Sequence, residues 1–146
     1  MTTILLDTNI LLYTITINDE RKRLIANDVL KNLQETQRGC LSAQNLAEFA
    51  NVAIRKFRIS PNELIPQIQN LRLAFLILDL TPPIVLEAVR GVRDYQLSYY
   101  DAQIWATAKL YQLPCVFSED FNSGHVLEGI RFVNPFANSF QLENWL

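Results

Sequence analysis

The run Thr3-Ile4-Leu5-Leu6-Asp7-Thr8-Asn9 is continuously apolar from Ile4 to Leu6 and then stops on an acid. A strand wetted on one face alternates apolar and polar side chains, so an unbroken apolar run reads as a central strand covered on both faces. Pro114-Cys115-Val116-Phe117-Ser118 repeats the pattern and again ends beside acids, Glu119 and Asp120. Shorter strand candidates are Gly39–Ser42, 75–78 and Ile130–Val133.

Helical signals fill the gaps. Leu24, Ile25, Leu30 and Leu33 recur at helical spacing and predict a helix over 21–37. Ser42 reads as the N-cap of a second helix reaching about residue 58. Ser60-Pro61-Asn62-Glu63 joins a capping box to a first-turn proline and starts a third. Thr81-Pro82 opens a fourth, towards Asp94, and the mostly apolar stretch 101–112 predicts a buried fifth. Strands alternating with helices predict an α/β fold, a three-layer sandwich with a mainly parallel central sheet flanked by helices. Ligands of such sheets gather beyond the carboxyl ends of the strands, near the switch in strand order. Both Asp7 and Asp120 would stand at that edge.

The 146 residues suit a single domain over 1–146, able to bury a core without disulfides. With 49% hydrophobic and 19% charged residues, the composition is globular and excludes a disordered chain. Cys40 and Cys115 lack zinc spacing and read as reduced core thiols. The first residues have no basic segment, and Asp7 interrupts their apolar run, so no signal peptide is expected. No stretch is long enough to span a bilayer, and the expectation is a soluble cytoplasmic protein without membrane attachment. A net charge of −2 argues against a simple nucleic-acid coat, although two bound divalent cations would turn it to +2.

Each acid has an ordinary explanation when taken alone. Asp7 fits a cap on the turn that follows the first strand. Glu48 lies opposite the stripe Leu46, Phe49, Ala50, Ala53, Ile54 and Phe57, as a solvated glutamate would, with Arg55 on its own side of the helix. Ser98 and Asp101 match a capping box. Asp120, ahead of Asn122-Ser123-Gly124, fits a turn. Together they mean more, because converging carboxylates repel one another unless cations hold them. An oxygen-only cluster suits Mg²⁺ or Mn²⁺, and paired ions can activate water and stabilise the leaving oxygen of a phosphodiester.

Leu5-Leu6-Asp7-Thr8-Asn9, Leu46-Ala47-Glu48-Phe49, Tyr100-Asp101-Ala102 and Ser118-Glu119-Asp120 resemble the motifs of PIN-domain nucleases, and among these the bacterial VapC-like toxins. The likeness covers nearly the whole chain, including Val133-Asn134-Pro135-Phe136. It implies a Mg²⁺- or Mn²⁺-dependent endoribonuclease in which Asp7, Glu48, Asp101 and Asp120 are the catalytic and metal-holding acids. Thr8 and Ser118 match supporting hydroxyl positions, and Asn9 matches a polar position with a structural role. The resemblance further implies an RNA substrate, a cognate antitoxin protein and a homodimer. Glu119 is additional to the pattern, and its role is open.

Other residues carry weaker signals. His125, the single histidine, reads as a surface-turn residue. Tyr99 and Tyr100 suit either core packing or stacking on bases. Arg21, Lys22 and Arg23 read as a solvated helix start, whereas Arg55, Lys56 and Arg58 are candidate RNA phosphate contacts. The competing functional reading is a catalytically silent module of the same fold that acts through protein or RNA binding. A phosphatase using Asp7 as nucleophile would want an acid two residues on, where Asn9 stands.

Overall fold

A computed structural model describes residues 2–146. Its sheet comprises β1 (Ile4–Leu6), β2 (Gly39–Ser42), β3 (Leu76–Leu78), β4 (Cys115–Phe117), β5 (Val126–Leu127) and β6 (Ile130–Val133). The six strands lie in the order β3-β2-β1-β4-β6-β5. All pairings are parallel except β5 with β6. The chain moves outward from β1 to β3 and then returns to the other side of β1 as β4, so the switch in order falls between β1 and β4.

Successive strand residues enter opposite cores, as their two-residue period requires. Ile4, Leu6, Leu41, Cys115, Phe117 and Val133 face one side. Leu5, Cys40, Val116 and Phe132 face the other. The first core is closed by α1 (Thr8–Tyr13), α2 (Glu20–Glu35), α3 (Ala43–Arg55), α4 (Pro61–Ala74) and the 3₁₀ turn Leu142–Trp145. The second is closed by α5 (Pro82–Tyr95) and α6 (Tyr99–Leu110). The continuous apolar runs are thus explained by two covered faces, and the three-layer α/β sandwich is the observed architecture.

Several expectations need adjustment. The turn after Asp7 is a helix, α1, too short at six residues to show periodicity in sequence. Phe75 caps the C-terminus of α4 instead of starting β3. The second helix ends at Arg55, and Arg58 lies beyond it with φ of 56°. Ser42 and Ser60 cap their helices through Asn45 N–H and Glu63 N–H, but Ser98 makes no side-chain cap bond. Cys40 and Cys115 are free, buried thiols whose pKa burial pushes up to about 12. No helix among the described residues is long and apolar enough to cross a membrane.

Candidate active site

Asp7 ends β1 beside the end of β4, where its backbone N–H donates to Phe117 O at 2.9 Å. Its carboxylate is held on both oxygens. Thr8 N donates to Oδ1 at 2.7 Å, and Ser118 Oγ donates to Oδ2 at 2.7 Å. The expected capping role is present, since Asp7 is the N-cap of α1. Ser118 in turn accepts from Asp120 N at 3.0 Å, which fixes the loop after β4. Asn9 Nδ2 donates to Asp120 Oδ2 at 3.1 Å. Thr8 is secured from α3, because Asn45 Nδ2 donates to Thr8 Oγ1 at 3.2 Å.

Asp101 arrives from the other layer, in the first turn of α6. Without a side-chain bond from Ser98, the capping-box explanation for this acid falls away. Asp7, Asp101 and Asp120 each bring a carboxylate oxygen within 4.8 Å of the other two. Glu48 lines the same cleft, of about 140 Å³, but lies outside that triad. Gln44, one turn earlier on α3, donates from Nε2 to Glu48 Oε1 at 2.6 Å. Gln44 and its partner Gln103 carried no signal in sequence.

The electrostatics are those of crowded acids without a counter-charge. Asp7 is 5% exposed, and burial pushes its pKa up to about 7, helped by the charges of Asp120 and Glu48 and opposed by its two hydrogen bonds. The Asp120 carboxyl is raised by burial and by Asp101, against the Asn9 amide. No ion pair among the described residues involves Asp7, Asp101 or Asp120.

The remaining candidates separate clearly. Glu119 points away from the triad, accepting from Tyr13 Oη and pairing with Lys22 Nζ at 2.9 Å. Arg21 donates to Phe136 O at 2.8 Å and Lys22 pairs with Glu119, so these two cations tie the start of α2 to the rest of the fold instead of being merely solvated. Arg55 and Lys56 line a groove of about 280 Å³ that shares Val52 with the acidic cleft. Tyr100 is 62% exposed on the cleft wall, whereas Tyr99 bonds Gln103. His125 is exposed in the turn before β5.

The PIN domain family model matches residues 4–126, most of the chain, and the protein belongs to the PIN domain family. Its fold is shared with VapC toxin structures. A toxin–antitoxin complex from Klebsiella pneumoniae is 24% identical, with TM-score 0.67 over 91% of this chain and 98% of that one. Mycobacterium tuberculosis VapC20, described as a sarcin-ricin loop cleaving toxin, is 18% identical, with TM-score 0.65 over 88% and 99%. DNA-bound VapBC from Salmonella typhimurium is 22% identical, with TM-score 0.63 over 90% and 97%. Comparison with curated protein sequences gives no match.

Proposed function

We propose that the protein is a divalent-metal-dependent endoribonuclease, the toxin component of a type II toxin–antitoxin pair. The observation that carries this reading is the convergence of Asp7, Asp101 and Asp120 oxygens to within 4.8 Å at the switch point. Three carboxylates without a basic partner among the described residues suit a hard cation. Asn9 Oδ1, buried without a hydrogen-bond partner among the described residues, adds an acceptor oxygen in the same cleft. Asp7, Asp101 and Asp120 would hold Mg²⁺ or Mn²⁺, directly or through water. When bound, such ions supply Lewis-acid charge for the attacking water and the leaving oxygen of a phosphodiester.

The chain's own residues supply the rest. Thr8 N–H and Ser118 fix the Asp7 carboxylate, while Asn9 fixes Asp120. Glu48 completes the acidic wall or orients the attacking water from the α3 side. Arg55 and Lys56, with Arg58 beyond the helix end, would bind backbone phosphates leaving the cleft, and exposed Tyr100 offers a face for a base. The sarcin-ricin loop cleavage named for the Mycobacterium neighbour supports an RNA substrate, and the toxin–antitoxin complex from Klebsiella supports a cognate antitoxin protein. We assign a cytoplasmic location and a homodimer on the same family grounds.

The test is incubation of purified protein with total RNA and Mn²⁺, with EDTA and Asp7→Asn controls, followed by end mapping. The expected result is discrete fragments that disappear in both controls. Fragments that persist with EDTA or in the variant would contradict the assignment, as would uncut RNA in every lane.

A further inference from the structure

Gln44 on α3 and Gln103 on α6 are only 5% and 4% exposed, between two helices whose other buried positions are largely apolar. Burying two primary amides is costly unless their hydrogen bonds are made, and an apolar pair would fill the space more cheaply. The amides form one continuous chain. Tyr99 Oη donates to Gln103 Oε1 at 2.7 Å, and Gln103 Nε2 donates to Gln44 Oε1 at 2.8 Å. Gln44 Nε2 then donates to Glu48 Oε1 at 2.6 Å and to the Tyr100 carbonyl at 3.1 Å.

The direction of this chain is dictated from its end. A carboxylate and a carbonyl can only accept, so Gln44 must turn its NH₂ towards them. Its oxygen then needs a donor, which Gln103 supplies, and the Gln103 oxygen needs another, which among the described residues the Tyr99 hydroxyl supplies. One oxygen of Glu48 is thereby pinned, on a side chain that lines the acidic cleft. The same amide bonds the α6 turn that carries Asp101, so it ties the position of Glu48 to that of the triad.

We propose that Gln44 and Gln103, with Tyr99, are positioning residues that aim Glu48 at the attacking water across the α3–α6 seam. The inference rests on the nuclease reading, which gives Glu48 a water to orient. It makes no demand on the triad's capacity for metal.

The test compares single-turnover RNA cleavage and Mn²⁺ affinity in wild type, Gln44→Met, Gln103→Met, Glu48→Gln and the Glu48→Gln/Gln44→Met pair. Methionine keeps the volume and removes the amide. Each methionine variant is expected to cleave about 10- to 100-fold more slowly, with Mn²⁺ affinity within about two-fold of wild type. In the Glu48→Gln background, Gln44→Met should add no further loss, because the carboxylate it positions is gone. Full-rate cleavage in Gln44→Met, an equal loss in both backgrounds, or a parallel loss of Mn²⁺ affinity would each overturn the relay. If wild type cleaves nothing, the nuclease reading fails, and the relay is judged by side-chain amide exchange in NMR. Slow exchange of the Gln103 amide that becomes faster in Gln44→Met would uphold it, and fast exchange in wild type would overturn it.

Discussion

Asp7 is the buried member of the acidic cluster, and its charge is costly to the fold. In the folded chain its pKa moves from 3.8 up to about 7, with burial the main cause. Between those values the folded protein keeps a proton that the unfolded chain has released. Stability of the cation-free protein should therefore decline as pH rises from about 4 to about 7, and remain lower above that. Asparagine at this position keeps an acceptor for Thr8 N–H and offers a donor to Ser118. In EDTA, Asp7→Asn should melt at or above wild type at pH 8 and lose that advantage at pH 5. Thermal denaturation checks it, and a variant destabilised more at pH 8 than at pH 5 would contradict it. The acids were legible in sequence because two of them end apolar strands and a third opens an apolar helix. Gln44 and Gln103 were not, because their meaning depends on a contact between residues 59 positions apart.

At the scale of elements, strand and helix cores were legible and helix ends were less so. Gln37, Gln96 and Gln112 take left-handed φ of 56°, 58° and 59° at the ends of α2, α5 and α6. Glycine is the usual stop signal there, and glutamine is not read as one. Leu113 N donates to Ala108 O at 2.8 Å and Gln112 N to Lys109 O at 3.1 Å, the pairing of a Schellman end. Gln112 is exposed, so Gln112→Gly should relieve the strained φ and stabilise the protein by about 0.5–1 kcal/mol, net of glycine's entropy. A Tm rise of a few degrees is expected, and a fall would count against the strain.

The opposite sign is expected at Gly91, where α5 crosses α6. A Cβ there would sit 2.8 Å from Trp105 Cζ3. The indole is fully buried, donates to Leu127 O at 3.2 Å, and lies against both Arg90 and Lys109. It cannot easily retreat. Gly91→Ala should destabilise by about 1–3 kcal/mol from overpacking, outweighing the roughly 1 kcal/mol that alanine gains in a helix. Chemical denaturation would show the loss as a lower midpoint at unchanged slope, and an unchanged midpoint would mean that the helices part freely.

For the whole molecule, the topology does the assembling. β1 and β4 lie side by side although their first paired positions are 111 apart in sequence: Ile4 opposes Cys115. Their ends supply Asp7 and Asp120, α6 brings Asp101 from one layer, and α3 brings Glu48 from the other. The alternation of elements made this sandwich legible, whereas the two-residue β5 carried too little pattern to be seen. Under the proposed function, the net charge of −2 would place the burden of RNA contact on local cations near the cleft. Arg55→Glu with Lys56→Glu should weaken RNA binding across sequences and flatten its salt dependence, measured by filter binding at several ionic strengths. Unchanged binding would move the RNA path off α3.

The most direct test of the central claim, that Asp7, Asp101 and Asp120 form one cation site, is thermal denaturation at pH 8 with and without Mn²⁺. Metal at about 100 times its Kd should stabilise the wild type by about 2.7 kcal/mol, and Asp7→Asn, Asp101→Asn and Asp120→Asn should each lose most of that shift while remaining folded. An equal shift in all four proteins, or none in the wild type, would contradict it.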